Sequence, residues 1–340
     1  MRRPPVRPTA GRHPRRGIPA RQSEYQEMSL ADERPPRDDA SLPATEGNDP
    51  PRKDRPAERR SPTRPQFVEG WRKDVQRKVH EANTAPALDL TPTDRIDIWM
   101  AKPDALMKAE SALTLLSEQD WDAVKKVNDP ANRRSVVASR VLLRIGLSRA
   151  CDHQAEPSAW RFTVDANQRP VVAEGLPPIN FSISHLDELV MVAVSTTLEI
   201  GIDVECIDQE VTPDMIAEFS HLDEHHAIGG LPRPREVREF VRMWTLKEAY
   251  TKLVGVGHSL DFKSIKFTLD PVQLKSIAGK SNKQGTTQFE NFYISNQHLM
   301  YHASLAVRHP VGDPGITEVQ IISLADAEGM TTNYAAPMVR

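Results

Sequence analysis

Three carboxylates and a lysine carry the strongest chemical signal in this 340-residue chain. Asp203 and Glu205 lie in Ile200-Gly201-Ile202-Asp203-Val204-Glu205, and Glu248 and Lys252 lie in Trp244-Thr245-Leu246-Lys247-Glu248-Ala249-Tyr250-Thr251-Lys252. Magnesium prefers oxygen ligands in near-octahedral array and takes only a few carboxylates, leaving positions for water and for substrate phosphate. A carboxylate trio beside an ammonium group therefore suits a magnesium site that handles a phosphate ester.

The elements that must position these groups follow from the local pattern. Leu198 to Val204 mixes apolar and β-branched residues as a strand does. Asp203 and Glu205, two apart, then share one face with α-carbons roughly 6.6 Å apart. Gly201 just before them permits a close approach of backbone or ligand. Val237 to Val254 has helical apolar spacing through Phe240, Val241, Trp244, Leu246, Tyr250 and Leu253. That spacing sets Glu248 and Lys252 at i and i+4 on one face. Taken singly, an Asp-x-Glu strand is ordinarily a solvated face, and a Glu/Lys pair at this spacing is ordinarily a surface salt bridge.

Together, the Gly-Ile-Asp-Val-Glu strand and the Trp-x-x-Lys-Glu-Ala-x-x-Lys helix resemble the signature of the 4'-phosphopantetheinyl transferase superfamily, in its long two-half, surfactin-synthetase-activating form. Other segments agree. Arg161 to Val172 resembles the family's strand-turn-strand, with Arg169 in the basic position before proline. Asn180-Phe181-Ser182-Ile183-Ser184-His185, followed by an apolar strand, resembles the segment whose Ser and His contact the cofactor. Asn132-Arg133-Arg134-Ser135 opens a helix that resembles the one meeting the nucleotide end of coenzyme A.

The resemblance implies an enzyme, a holo-[acyl-carrier-protein] synthase, that moves the phosphopantetheine arm of coenzyme A onto a serine of an apo acyl or peptidyl carrier protein and releases adenosine 3',5'-bisphosphate. It implies magnesium held by Asp203, Glu205 and Glu248 against the diphosphate, with coenzyme A as co-substrate. Lys252 and His185 would contact phosphate oxygens, with Ser184 beside them. Arg134, Ser135 and Arg169 would bind the adenosine 3'-phosphate portion, where the planar fork of arginine suits a phosphate monoester. Lys125 and Lys126 compete for that phosphate with their ordinary role on a solvated helix face.

For the base that deprotonates the carrier serine, the family's glutamate after a Phe-Ser turn maps onto Glu218-Phe219-Ser220-His221-Leu222-Asp223-Glu224 with a one-residue shift. Glu224 is favoured over Asp223, and Lys247 or a water on the metal remain alternatives. In the same segment His221 and His225 stand at i,i+4, but no glutamate follows the first histidine as a zinc-hydrolase helix requires. A helix start with Ser220 as N-cap accounts for the acids there. Trp244 and Tyr250 read as core.

Composition bounds the rest. The hydrophobic content of 39% suits a soluble globular protein. Residues 1–88 are rich in Pro, Arg, Asp and Glu and carry no sustained period, which marks a disordered extension. Residues 1–23 hold seven arginines and no acid, so with a formal charge of −3 overall the remainder is acidic. That balance argues against a nucleic-acid partner, and no apolar run spans a membrane, so a cytoplasmic location is expected. Met28 offers an alternative start. Cys151 and Cys206 form no disulfide framework, and alternation turns Cys206 away from the carboxylate face.

From residue 94 the pattern predicts strands at 95–101, 159–164, 170–173, 189–195 and 199–205. It predicts helices at 111–127, 131–150, 213–229 and 234–254, then strands near 263–269, 290–296, 299–307 and 318–323. Runs of strands and helices without strict alternation give an α+β class. The resemblance implies two similar α/β halves forming a monomeric pseudo-dimer, 94–196 and 197–327, with a tail at 328–340 and coenzyme A in the cleft between halves. Two other classes share parts of the pattern: a magnesium-dependent phosphodiesterase or nucleotidyl enzyme, and a non-catalytic carrier-binding homologue. The first wants a basic binding face and the second a lost carboxylate or lysine.

Overall fold

A computed structural model of the chain describes residues 94–108, 110–166, 169–256, 260–281, 287–295, 298–310, 317–324 and 331–334. The expected extension over 1–88 lies outside them. Strand β1 (Asp94–Ala101) leads into three short helices, α1 (Pro103–Met107), α2 (Glu110–Leu113) and α3 (Glu118–Lys125). The single helix expected over 111–127 is thus broken. Ser117 adopts extended φ/ψ and caps a new helix through a reciprocal bond with Asp120. Helix α4 (Pro130–Ala150) starts where expected, with Asp129 as N-cap and proline at the first turn.

Strands β2 (Phe162–Val164) and β3 (Pro170–Val172) form an antiparallel hairpin. The strand expected from 159 begins later because Pro157–Ala159 is a 3-10 turn. Strands β4 (Asn180–His185), β5 (Val190–Ser195) and β6 (Glu199–Cys206) follow. Helices α5 (Pro213–Phe219) and α6 (Leu222–Ile228) replace the one helix expected over 213–229. Ser220 is extended and ends α5, and His221, not Ser220, caps α6. Helix α7 (Arg233–Val254) stops at Gly255, whose φ of 72° few other residues tolerate. Strands β7 (Ile265–Leu269), β8 (Val272–Ile277), β9 (Lys280–Ser281), β10 (Thr287–Ser295), β11 (Met300–Arg308), β12 (Thr317–Ser323) and β13 (Thr331–Tyr334) complete the described chain.

The first four-stranded sheet has the order β12-β1-β5-β4, with β12 parallel to β1 and the other pairs antiparallel. The second has the order β13-β10-β11-β6 and its pairs are antiparallel. Strict alternation sorts the side chains of β1 and β5 between two cores. Trp99, Val190, Val192 and Val194 pack with Val137, Val141 and Leu142 of α4. Ile96, Ile98, Met191 and Ala193 pack with Ile200, Ile202, Val204 and Leu305 of the second sheet. The layers therefore run α4, first sheet, second sheet, α7, an α+β architecture.

The two sheets meet at β4 and β6. Hydroxyls of Ser182 and Ser184 accept the backbone N–H groups of Ile202 and Val204 at 3.0 and 3.2 Å. Side chains of one sheet thereby satisfy the unpaired edge of the other. On the opposite face of β6, a β-carbon on Gly201 would lie 2.1 Å from the Ala249 carbonyl oxygen of α7. Only glycine lets the helix backbone rest on the strand here, so the close approach expected at Gly201 is made by α7.

Candidate functional site

Gly201, Asp203 and Glu205 alternate onto the face of β6 that meets α7, while Ile200, Ile202, Val204 and Cys206 face the shared core. Asp203 Oδ1 accepts hydrogen bonds from Ser184 Oγ at 3.0 Å and from Lys252 Nζ at 2.9 Å. Lys252 also donates to the Ile183 carbonyl at 3.2 Å. One strand end of the first sheet, the middle of β6 and the last turn of α7 are thus tied at a single carboxylate. Gln209 Nε2 donates to Glu205 Oε2 at 3.3 Å. Asp203, Glu205, Glu248 and Lys252 are all at most 9% exposed. Groups of this kind are rarely so buried unless paired.

His185 ends β4 beside Ser184. Its Nε2 donates to Asn132 Oδ1 at 3.0 Å, and Asn132 sits in the first turn of α4. Ser135, one turn later, is fully buried and donates its hydroxyl to the Leu186 carbonyl at 2.8 Å. The start of α4 therefore grips the end of β4 twice. Residue type and spacing alone assign Asn132 no role; its place at a helix start, ahead of Arg134, is the signal the sequence carries.

The arginines stand further out. Arg134 Nε pairs with Asp104 at 3.2 Å, with both side chains well exposed. Arg169 donates to Asp165 at 3.1 Å and to the Leu253 carbonyl of α7 at 3.4 Å, which brings it to the site's edge. Lys125 is an exposed partner of Asp122.

Glu224 is committed elsewhere. Its Oε2 accepts from Lys247 Nζ at 2.6 Å and from the His221 N–H at 2.7 Å, and its Oε1 accepts from the Phe267 N–H at 2.8 Å. Lys247 is fully buried and spends its other donors on the carbonyls of Phe219 and Phe262. Burial pushes the Lys247 ammonium below its ordinary range, opposed by the Glu224 charge. This pair joins α5, α6, α7 and β7. Asp223 is exposed and paired with Lys266.

The donor types, three carboxylates on facing elements, fit a hard divalent ion, and the Lys252 ammonium already places a cation on Asp203. Among the described residues no three His, Cys, Asp or Glu side chains are drawn together tightly enough to enclose a metal.

Behind the carboxylates lies a polar cluster that the sequence reading missed. In the β11–β6 register Ser304 faces Asp203 and His302 faces Glu205. Thr245 of α7 joins them, its Oγ1 2.8 Å from both His302 Nδ1 and Ser304 Oγ. The signal was there to find: His302 and Ser304 are polar at i and i+2 in the interior of a strand that is otherwise apolar from Met300 to Val307.

A family model described as the 4'-phosphopantetheinyl transferase superfamily matches residues 199–306, the stretch that carries β6, α7 and β11. Over that third of its length the chain is similar to the 4'-phosphopantetheinyl transferase superfamily. Three named relatives accompany this match. A 4'-phosphopantetheinyl transferase, HetI, of Nostoc sp. is 26% identical over 53% of this chain and 77% of its own length. The 4'-phosphopantetheinyl transferase gsp of Aneurinibacillus migulanus is 34% identical over 31% of this chain, and the match spans 43% of that relative. The 4'-phosphopantetheinyl transferase Sfp of Bacillus subtilis is 24% identical over 51% of this chain and 75% of its own length. The transferase signature thus coincides with the part of the fold that buries the carboxylates. No described helix is long and apolar enough to cross a membrane.

Proposed function

We propose that this chain transfers the 4'-phosphopantetheine group of coenzyme A to a serine of an apo acyl or peptidyl carrier protein, releasing adenosine 3',5'-bisphosphate. The observation that carries the reading is the buried node of Ser184, Asp203 and Lys252 beside Glu205, which joins both sheets and α7. A buried carboxylate group with an ammonium on it can bind a diphosphate and a cation together.

Asp203, Glu205 and Glu248 would hold magnesium. Bound there, magnesium would offset the diphosphate charge and orient the reacting phosphoryl group. Lys252 and His185 then meet phosphate oxygens, the imidazole held in place by Asn132. The carrier serine oxygen bonds to the phosphorus bearing the pantetheine arm as its hydroxyl proton passes to solvent water, and the bond to the bridging oxygen breaks with its electron pair going to the nucleotide phosphate. Lys252 stabilises the charge that grows on the departing bisphosphate.

Arg134 and Arg169 serve the 3'-phosphate by exchanging aspartate partners for phosphate. A partly exposed ion pair is worth little in water, so the exchange costs little. Ser135 acts through Leu186, since its hydroxyl is already spent there. Glu224 acts as a tie between elements rather than as the serine's base, because both its oxygens are engaged.

Mass spectrometry tests the reading. The protein is incubated with coenzyme A, magnesium and a panel of apo carriers from fatty-acid, polyketide and peptide synthesis. Phosphopantetheine mass addition on at least one carrier serine is expected. No addition on any carrier sinks the proposal.

A further inference from the structure

The second long helix lies on its sheet through contacts of two kinds. Ala249 and Leu253 meet Gly201 and Ala306 with small apolar surfaces. These set how closely α7 approaches but are not directional, since apolar burial has no preferred angle. Hydrogen bonds are directional, and one cluster joins this face of α7 to the middle of the second sheet.

Thr245 Oγ1 lies 2.8 Å from His302 Nδ1, 2.8 Å from Ser304 Oγ and 3.0 Å from the Arg242 carbonyl. Ser304 Oγ donates onward to Asn291 Oδ1 at 3.0 Å. Thr245, His302 and Ser304 are all fully buried. Burial, with Arg242 nearby, pushes the His302 imidazole down to about 3, so it is neutral at physiological pH. Thr245 and Ser304 carry one hydroxyl hydrogen each. The economical assignment runs one way: His302 Nδ1–H to Thr245, Thr245 to Ser304 or the Arg242 carbonyl, and Ser304 to Asn291. It leaves His302 Nε2 as a bare acceptor, and that atom has no hydrogen-bond partner. A bare acceptor is the less costly atom to leave buried.

The placement matters because of register. His302 and Ser304 stand across from Glu205 and Asp203. Glu248 and Ala249 lie three and four residues after Thr245 and four and three before Lys252, so the four share one face of α7. A slip of one residue along the helix would turn this face by roughly 100°.

We propose that the Thr245–His302–Ser304 cluster is the pin that sets the rotation of α7 on the second sheet, holding Glu248 and Lys252 toward Asp203 and Glu205. Thr245 and His302 are positioning residues. The inference rests on the reading of those carboxylates as the cation- and phosphate-handling group.

The test is manganese binding followed by electron paramagnetic resonance, with phosphopantetheine transfer measured alongside. Thr245→Val removes the hydroxyl at nearly constant volume, and Thr245→Ser keeps it. Thr245→Val is expected to weaken manganese binding on the order of 5- to 10-fold and to lower kcat in step, with KM for coenzyme A held within about twofold. Thr245→Ser should return both to within about twofold of the parent. Parent-like manganese binding in Thr245→Val, or equal losses in the Val and Ser variants, overturns the proposal. If Thr245→Val does not fold, Ser304→Ala breaks the same chain from the strand side and is judged by the same binding outcome. Glu248→Ala separates the two readings. If it loses manganese while Thr245→Val does not, only the pin fails; if it keeps full transfer, the site itself is wrong.

Discussion

Helices α4 and α7 each lie against one sheet and each bury several charged side chains, yet they use those charges differently. On α4, Arg144 is fully buried and its donors are consumed by Asp120, by Ser117 Oγ and by the carbonyls of Pro157 and Trp160. Arg140 donates to the other Asp120 oxygen at 2.9 Å. The cluster is closed: it ties α3 and the turn before β2 to α4. On α7, Lys247 is closed in the same manner, but Lys252, one turn and a residue later, meets Asp203 at the seam where β4 and β6 join. A buried charge whose partners come from packed loops and helices holds a fold. One whose partners gather where two sheets meet is, under the proposed function, the one that exchanges them for a ligand.

Removing a charge from each region should sharpen this contrast. Arg144→Met leaves the Asp120 carboxylate buried with less compensation and should cost about 3–5 kcal/mol of stability in urea unfolding, while transfer per folded molecule stays near the parent. Burial alone would raise the Asp120 carboxyl, but Arg144, Arg140 and Ser117 outweigh it and hold the group below its ordinary range. A carboxyl depressed in this way stabilises the fold above its unfolded value, near about 3.9, and that contribution is lost as pH falls through the folded value. The Arg144→Met variant should therefore show a shallower acid limb in its stability profile. A variant that folded normally but lost transfer would erase the distinction between the two helices.

Asp203→Ala reverses the pattern. Transfer should fall on the order of 100- to 1000-fold per folded molecule, measured as carrier modification rate, beyond the stability lost because the buried Lys252 ammonium gives up a carboxylate partner. Near-parent transfer would remove Asp203 from the site. Glu224→Gln has the smallest expected effect on chemistry and tests the boundary between the classes. It should lower stability by about 1–3 kcal/mol and kcat by less than about tenfold, with an unchanged pH–rate profile. A loss beyond 100-fold that flattens the acid limb of that profile, where a carboxylate base would protonate, would make Glu224 the base after all.

Much of the framework was legible beforehand. The strands through 94–101, 190–195 and 199–206 and the helices 130–150 and 233–254 followed from periodicity and from their Pro, Asp and Gly boundaries. The breaks did not. Ser117 and His221 begin new helices by taking part in capping boxes with Asp120 and Glu224. In both cases periodicity ran straight across the break. Glu224 illustrates the same limit: the resemblance offered it as the base, and packing sets its carboxylate against Lys247 and the Phe267 N–H.

What the amino-acid sequence determined by itself is local. Alternation alone puts Asp203 and Glu205 on one face, and helical spacing alone aligns Glu248 with Lys252, because both are set by backbone periods of 2 and 3.6. Which strands and helices become neighbours is not a local property. Only the tertiary structure decided that Ser182 and Ser184 cap the free edge of β6, that Asn132 orients His185, and that Thr245 meets His302 and Ser304 beneath the carboxylates. Each of those bonds joins segments far apart in the chain, and each exists because a buried polar group must find a partner wherever packing has placed one.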